Sequence, residues 1–175
     1  MNDRQAKLLN RLYAHTMNVL PVDEAAYIAG LIDVEGTVTL TRLHAGEGRR
    51  LVVSISNNDL ALLKSVQSAV GAGKITNKRT ISERHSPSFT WQITSRQALT
   101  LLEQIVGYLR TYKAYRARMA LDQYLAVTPR NGKYRPAAME ERAQFEAAFL
   151  AILPGPGQRE SPRRDPPSGT VTISR

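Results

Sequence analysis

The chain has no cysteine, only three histidines, a shortage of acids and no long apolar run. Without cysteine there is no disulfide, no thiolate zinc site and no thiol nucleophile. His15, His44 and His85 lie far apart and match no metal-ligand spacing, so they read as surface or loop residues. No apolar stretch reaches the roughly 18 to 20 residues that a membrane helix needs. The N-terminus carries Asp3 and lacks the hydrophobic segment of a secretory signal. A soluble intracellular protein with no membrane partner is expected, cytoplasmic in a bacterial or phage-like host or in an organellar matrix. The 15 Asp and Glu stand against 24 Lys and Arg, a net charge of +9. That excess favours a polyanionic partner, but ribosomal and chromatin proteins share it, so it narrows the partner and not the activity.

What is present fits one domain of 175 residues, long enough for a sizeable core. Residues 1–21 read as a basic extension, with Leu8, Leu12 and Leu20 on one side of a loose amphipathic helix. Pro21 breaks that pattern, and Asp23 is placed to cap a helix over about 24–34. Strands follow at 37–43 and 50–57, joined by a turn around Gly46-Glu47-Gly48. Leu60, Leu63, Val66 and Val70 mark a helix that stops at Gly71-Ala72-Gly73. Two more strands are expected at 74–82 and 88–94, then helices near 96–106, 111–127 and 138–152. The last carries a buried stripe of Phe145, Phe149 and Ile152.

The domain is thus drawn at 22–153. Residues 154–175 hold five of the nine prolines and read as a disordered tail. Four Arg less one Glu and one Asp give that tail +2, which leaves +7 on the rest. The order is αββαββα with extra C-terminal helices. It predicts an α+β fold, one antiparallel four-stranded sheet with helices on one face.

The strands alternate. Val38, Leu40, Val53, Ile55, Ile75, Ile81, Phe89, Trp91 and Ile93 should face the helices. Thr37, Thr39, Thr41, Arg50, Ser54, Ser56, Lys74, Thr76, Lys78, Thr80, Ser88, Thr90, Gln92 and Thr94 should face outward. A solvated sheet alternates in the same way. An acid-free outer face in a chain with 15 acids tilts the reading toward nucleic acid. A twisted ribbon fits the major groove, where Thr, Ser, Gln and Lys address base edges.

The run Tyr27-Ile-Ala-Gly-Leu-Ile-Asp-Val-Glu-Gly36 places Asp33 and Glu35 where a helix should end. The macrodipole is negative there and costs an anion up to about 1 kcal/mol, so a positive group is expected beside them. Ala26 and Gly30, one turn apart, make a flat strip that another backbone could approach, unless Gly30 only relieves crowding within the chain.

This run resembles the signature of the LAGLIDADG homing endonucleases. The resemblance implies that Glu35 is the acid holding a divalent metal, Mg²⁺ with Mn²⁺ as a substitute, for cleavage of double-stranded DNA. Glu stands here for the eponymous Asp, while Asp33 matches the first motif acid and mainly supports the helix end. In the family the motif helix packs on its twin, and chains with one motif form homodimers. The single motif here implies a dimer seam with Ala26, Gly30 and Asp33, and twice +9, or +18, of charge. The resemblance runs over about 25–125. Asn57 fits the place of a water-ordering amide, or Asn58 if the register slips, although capping of the next helix explains the same residues. Near Tyr108-Leu-Arg-Thr-Tyr-Lys-Ala-Tyr-Arg-Ala117 the family's functional lysine falls at Lys113, one residue later than usual, with Arg110 as the alternative. A solvated basic helix face making phosphate contacts competes with that role. Tyr108, Tyr112, Tyr115 and Met119 have the helical spacing of core residues, and the basic loop 128–135 reads as surface. The implied activity is site-specific double-strand DNA cleavage. An RNA-binding intron maturase and a cleavage-deficient DNA-binding regulator are the alternatives.

Overall fold

The computed structural model describes residues 17–42, 44, 47–78, 87–129 and 136–155. The elements run α1 (Val22–Glu35), β1 (Gly36–Thr41), β2 (Arg50–Asn57), α2 (Leu60–Val70), β3 (Lys74–Lys78), β4 (Ser88–Thr94), α3 (Ser95–Ile105), α4 (Tyr112–Val127) and α5 (Pro136–Ala151). The expected α+β architecture is what forms, with the sheet order β1-β2-β4-β3 and every pair antiparallel.

Several boundaries differ from expectation. Residues 17–21 are not helical, and Leu20 is buried. The segment is pinned by Asn18, whose amide donates to the carbonyls of Ser68 and Ala69 at the end of α2. Pro21, not Asp23, occupies the N-cap of α1, and its carbonyl accepts from the Ala25 N–H at 2.9 Å. Proline suits that place because it forgoes a donor there. The extension before residue 17, the tail beyond 155, Gly46 of the expected turn, most of loop 128–135, and Thr80 and Ile81 lie outside the described residues, as do His15 and His85.

Local chemistry sets the other joints. Asp59 caps α2 by accepting from Ala61 N at 2.8 Å and Leu62 N at 3.2 Å, a contact worth about 1 kcal/mol. Gly71 closes the same helix in the left-handed region, at φ 71°. Gly36 joins α1 directly to β1. A Cβ there would lie 2.6 Å from Ile32 Cα and 2.9 Å from the carbonyl oxygens of Ile32 and Ser54, so no side chain fits.

The core lies between the inner sheet face and the helices. Trp91 is fully buried and its indole N–H donates to the Ala72 carbonyl at 3.1 Å. Val38, Val53 and Ile93 form one row across three strands, beneath Ile28, Ile32, Leu101 and Ile105. α5 packs on α4 through a chain of rings, Tyr124, Phe145 and Phe149. Ile152, expected in the same stripe, lies just past the helix and is half-buried.

Candidate functional site

On the outer face, register gathers the predicted residues into rows. Thr37 sits opposite Ser54, Ser54 opposite Gln92, and Gln92 opposite Lys74. Ser56, Thr90 and Thr76 make a second row, in which the Ser56 and Thr90 hydroxyls are 2.9 Å apart. Thr41 faces Arg50, and Ser88 pairs with Lys78. Thr39 sits opposite Val52, and Val52 opposite Thr94. Val52 is buried although its strand position points outward. Arg50, Lys74 and Gln92 share a concavity of about 520 Å³ with Thr94 and Gln97. Gln97, on the first turn of α3, was not marked by strand alternation because it belongs to no strand. Among the described residues, Arg50 Nε is buried without a hydrogen-bond partner.

At one end of that face stands the end of α1. The positive group expected there is Lys113. Its ammonium donates to the Ile32 carbonyl at 2.8 Å and to the Asp33 carbonyl at 3.0 Å, tying down the last turn of α1. Lys113 is 6% exposed. Burial pushes its pKa below the usual lysine value, Asp33 opposes the shift, and Arg116 adds to it.

The Asp33 carboxylate turns toward α4. It accepts from Arg110 N at 2.7 Å, Thr111 N at 3.4 Å and the Thr111 hydroxyl at 2.6 Å. Thr111 is itself the N-cap of α4, accepting from Lys113 N at 3.3 Å. An acid poorly placed at the negative end of one helix therefore sits at the positive end of another. Asp33, expected at a dimer seam, makes these bonds within its own chain. Arg110 is exposed and contributes its backbone N–H here. Thr111 is the residue that sequence reasoning missed, although a Thr before a helix is the ordinary cap signal.

Glu35 is exposed, and among the described residues no hydrogen bond or ion pair holds its carboxylate. Asn57 sits at the near end of β2, on the core-facing side of the strand. Its side-chain oxygen accepts from Asp59 N at 2.8 Å, so the capping-turn reading holds for it, while Asn58 is exposed.

Tyr108 and Tyr115 correct the core assignment: both are exposed, and Arg118 stacks on Tyr115. Tyr112 and Met119 are half-buried. Arg116 is buried instead, donating to the carbonyls of Val38 and Ile152 at 2.9 Å each and lying against Tyr112 and Phe149. α1 leaves a stripe uncovered: Val22 is 71% and Val34 80% exposed, with Ala26 and Gly30 exposed between them. A Cβ on Gly30 would meet nothing within 4 Å, so that glycine relieves no crowding inside the chain.

Residues 23–107 match the LAGLIDADG-like domain. This segment is a LAGLIDADG-like domain. It carries one copy of the motif, at the end of α1. Among solved structures, the homing endonuclease I-CvuI in complex with its target in the presence of calcium is similar at a TM-score of 0.62 and 18% identity. That match covers 77% of this chain and 84% of the other. The archaeal intron-encoded homing endonuclease I-Vdi141I complexed with DNA gives 0.52 at 12% identity, over 79% of this chain and 89% of that one. The LAGLIDADG meganuclease I-AabMI bound to uncleaved DNA gives 0.54 at 18%, over 71% of this chain but 44% of that one. At these identities the likeness is one of fold. No protein of curated function matches the sequence.

Proposed function

We propose that this protein is a site-specific double-strand DNA endonuclease that uses a divalent metal and acts as a homodimer. The observation that carries the reading is the position of Glu35. An exposed carboxylate stands at the junction of α1 and β1, between the uncovered stripe of α1 and the polar outer face of the sheet.

The stripe supports the dimer. Val22, Ala26, Gly30 and Val34 recur every four residues, which sets them along one side of a helix. Packing that side on its twin would bring two Glu35 carboxylates to one seam. The chain spans most of I-CvuI yet less than half of I-AabMI, as one half of a paired assembly would.

Among the described residues no group of three or more Asp, Glu or His is placed to hold a metal. A single chain thus supplies one carboxylate, and the fit rests on Glu35 from two copies with phosphate oxygens of the substrate. Those hard oxygens suit Mg²⁺, or Mn²⁺ in its place. When bound there, such an ion would activate water and stabilise the leaving oxygen of a phosphodiester.

The chain's own residues do the positioning. Lys113 and Asp33 fix the turn that presents Glu35, and the ammonium's two carbonyl partners favour this role over direct contact with the substrate. The rows Thr37–Ser54–Gln92–Lys74 and Ser56–Thr90–Thr76 offer hydroxyl, amide and ammonium groups to base edges. The test is cleavage of a randomised duplex library with Mg²⁺, followed by sequencing of the cut ends. Wild type should cut a small set of sequences, and chelation or Glu35→Gln should abolish cutting while leaving duplex binding. Undiminished cutting by Glu35→Gln removes that residue from the mechanism.

A further inference from the structure

Glu146 is a charged residue in an apolar stripe. It lies on α5 between Phe145 and Phe149, is 8% exposed, and stands outside the segment that matches the family domain. Its carboxylate reaches the two ends of the β1–β2 connection. It accepts from Arg49 N at 2.9 Å, lies 3.6 Å from the Arg49 guanidinium and 3.7 Å from that of Arg42. On its own helix, one turn back, Arg142 donates to the same carboxylate at 3.1 Å, and to the Arg49 carbonyl at 2.7 Å. The Arg142 guanidinium fills the space that a side chain at Gly48 would occupy.

A hydrophobic residue would brace this corner without the desolvation cost of a buried charge. A carboxylate differs in being directional: its lone pairs orient guanidinium groups. The Arg42 pair adds little stability by itself, since the Arg42 side chain is 47% exposed. What the pair does is point that arginine. Arg42 and Arg142 line a concavity of about 280 Å³ with Glu146 and Glu47, and Arg49 adjoins it through its pair with Glu146. Arg42 lies six residues beyond Gly36, about 20 Å along β1 from the Glu35 end at about 3.4 Å per residue. With one base step per 3.4 Å, a ribbon laid along a groove meets DNA there about six base pairs from the Glu35 seam.

We infer that Glu146 is a positioning residue for DNA recognition. It holds Arg42 and the base of the β1–β2 connection against the outer part of each half-site. This rests on the endonuclease reading above. The experiment selects bound duplexes from a randomised pool with the full chain, for wild type, Glu146→Gln and Arg42→Gln, and compares preference position by position. Glu146→Gln keeps an acceptor for Arg49 N–H but loses the charge. It should lower discrimination about tenfold at outer positions, the scale of one mismatched pair, and leave positions next to the cut within about twofold. Arg42→Gln should reproduce the outer loss at wild-type melting temperature. In Glu146→Gln, amide exchange should quicken at Arg49 and stay unchanged at Ile32.

Outer preferences equal to wild type in either variant overturn the inference. So does uniform flattening at every position together with a lowered melting temperature, because that is a general loss of structure. A wild-type protein that selects no duplex defeats the endonuclease reading and this one with it. A wild type that discriminates, with Glu146→Gln matching it, defeats this inference alone.

Discussion

The Lys113 ammonium lies 2.8 Å from the Ile32 carbonyl, joining residues 81 positions apart at the end of the motif helix. A helix C-terminus presents carbonyls without intrahelical donors, and a cation there satisfies both their hydrogen bonds and the dipole. Lys113→Met removes the donor and leaves the Asp33 carbonyl without this partner. The variant should lose about 2 kcal/mol of stability, the scale of hydrogen bonds to a charged group. Urea unfolding measures it, and a loss below about 0.5 kcal/mol would show that the clamp is dispensable.

The same lysine makes a pH signature. Its pKa is lowered in the fold, chiefly by burial, from an unfolded value of about 10.4. Between the two values the unfolded chain binds more protons than the folded one, so this group's contribution to stability rises with pH. Below the lowered pKa both states are protonated and the contribution is flat. The stability gap between wild type and Lys113→Met should therefore widen through the alkaline range toward about pH 10.4. A gap independent of pH would mean that Lys113 titrates alike in both states.

The two motif acids should separate cleanly. Asp33→Asn places an amide nitrogen against the N–H groups of Arg110 and Thr111 and removes the charge at the start of α4. It should cost about 1 to 3 kcal/mol. Glu35→Gln, at an exposed site, should stay within about 0.5 kcal/mol of wild type while cleavage disappears. Equal destabilisation by both would undo the division of labour between a structural and a functional acid.

Local patterns carried much of this in the sequence. The alternation of Thr37, Thr39 and Thr41 with Val38 and Leu40 set the two faces of β1, and Gly71 marked the end of α2 where it falls. The motif run set the helix end and its need for a cation. What escaped depends on chain segments that meet only after folding. The choice of Lys113 over Arg110 rested on the motif alone, and only the packing of α4 against α1 puts the buried side chain of one, but only the backbone of the other, at the motif. Tyr115 was misassigned because spacing alone does not tell which side of α4 the core covers, and the buried places go to Lys113, Arg116 and Tyr124. Glu146 reads from the sequence as one more surface acid. Only the return of α5 to the ends of β1 and β2 gives it partners.

Gly30 separates the chain's own stability from its assembly. A glycine in a helix interior costs about 1 kcal/mol relative to alanine, and the space above Gly30 is open within the chain. Gly30→Ala should stabilise an isolated chain by about that amount. If two α1 helices approach closely along Val22, Ala26, Gly30 and Val34, even one methyl at the seam weakens the dimer, and Gly30→Leu should weaken it further. Sedimentation over a range of concentrations should show dissociation rising from wild type to Ala to Leu. Unfolding measured at low concentration should rank Ala above wild type. The same sedimentation profile for all three would move the seam away from this face of α1.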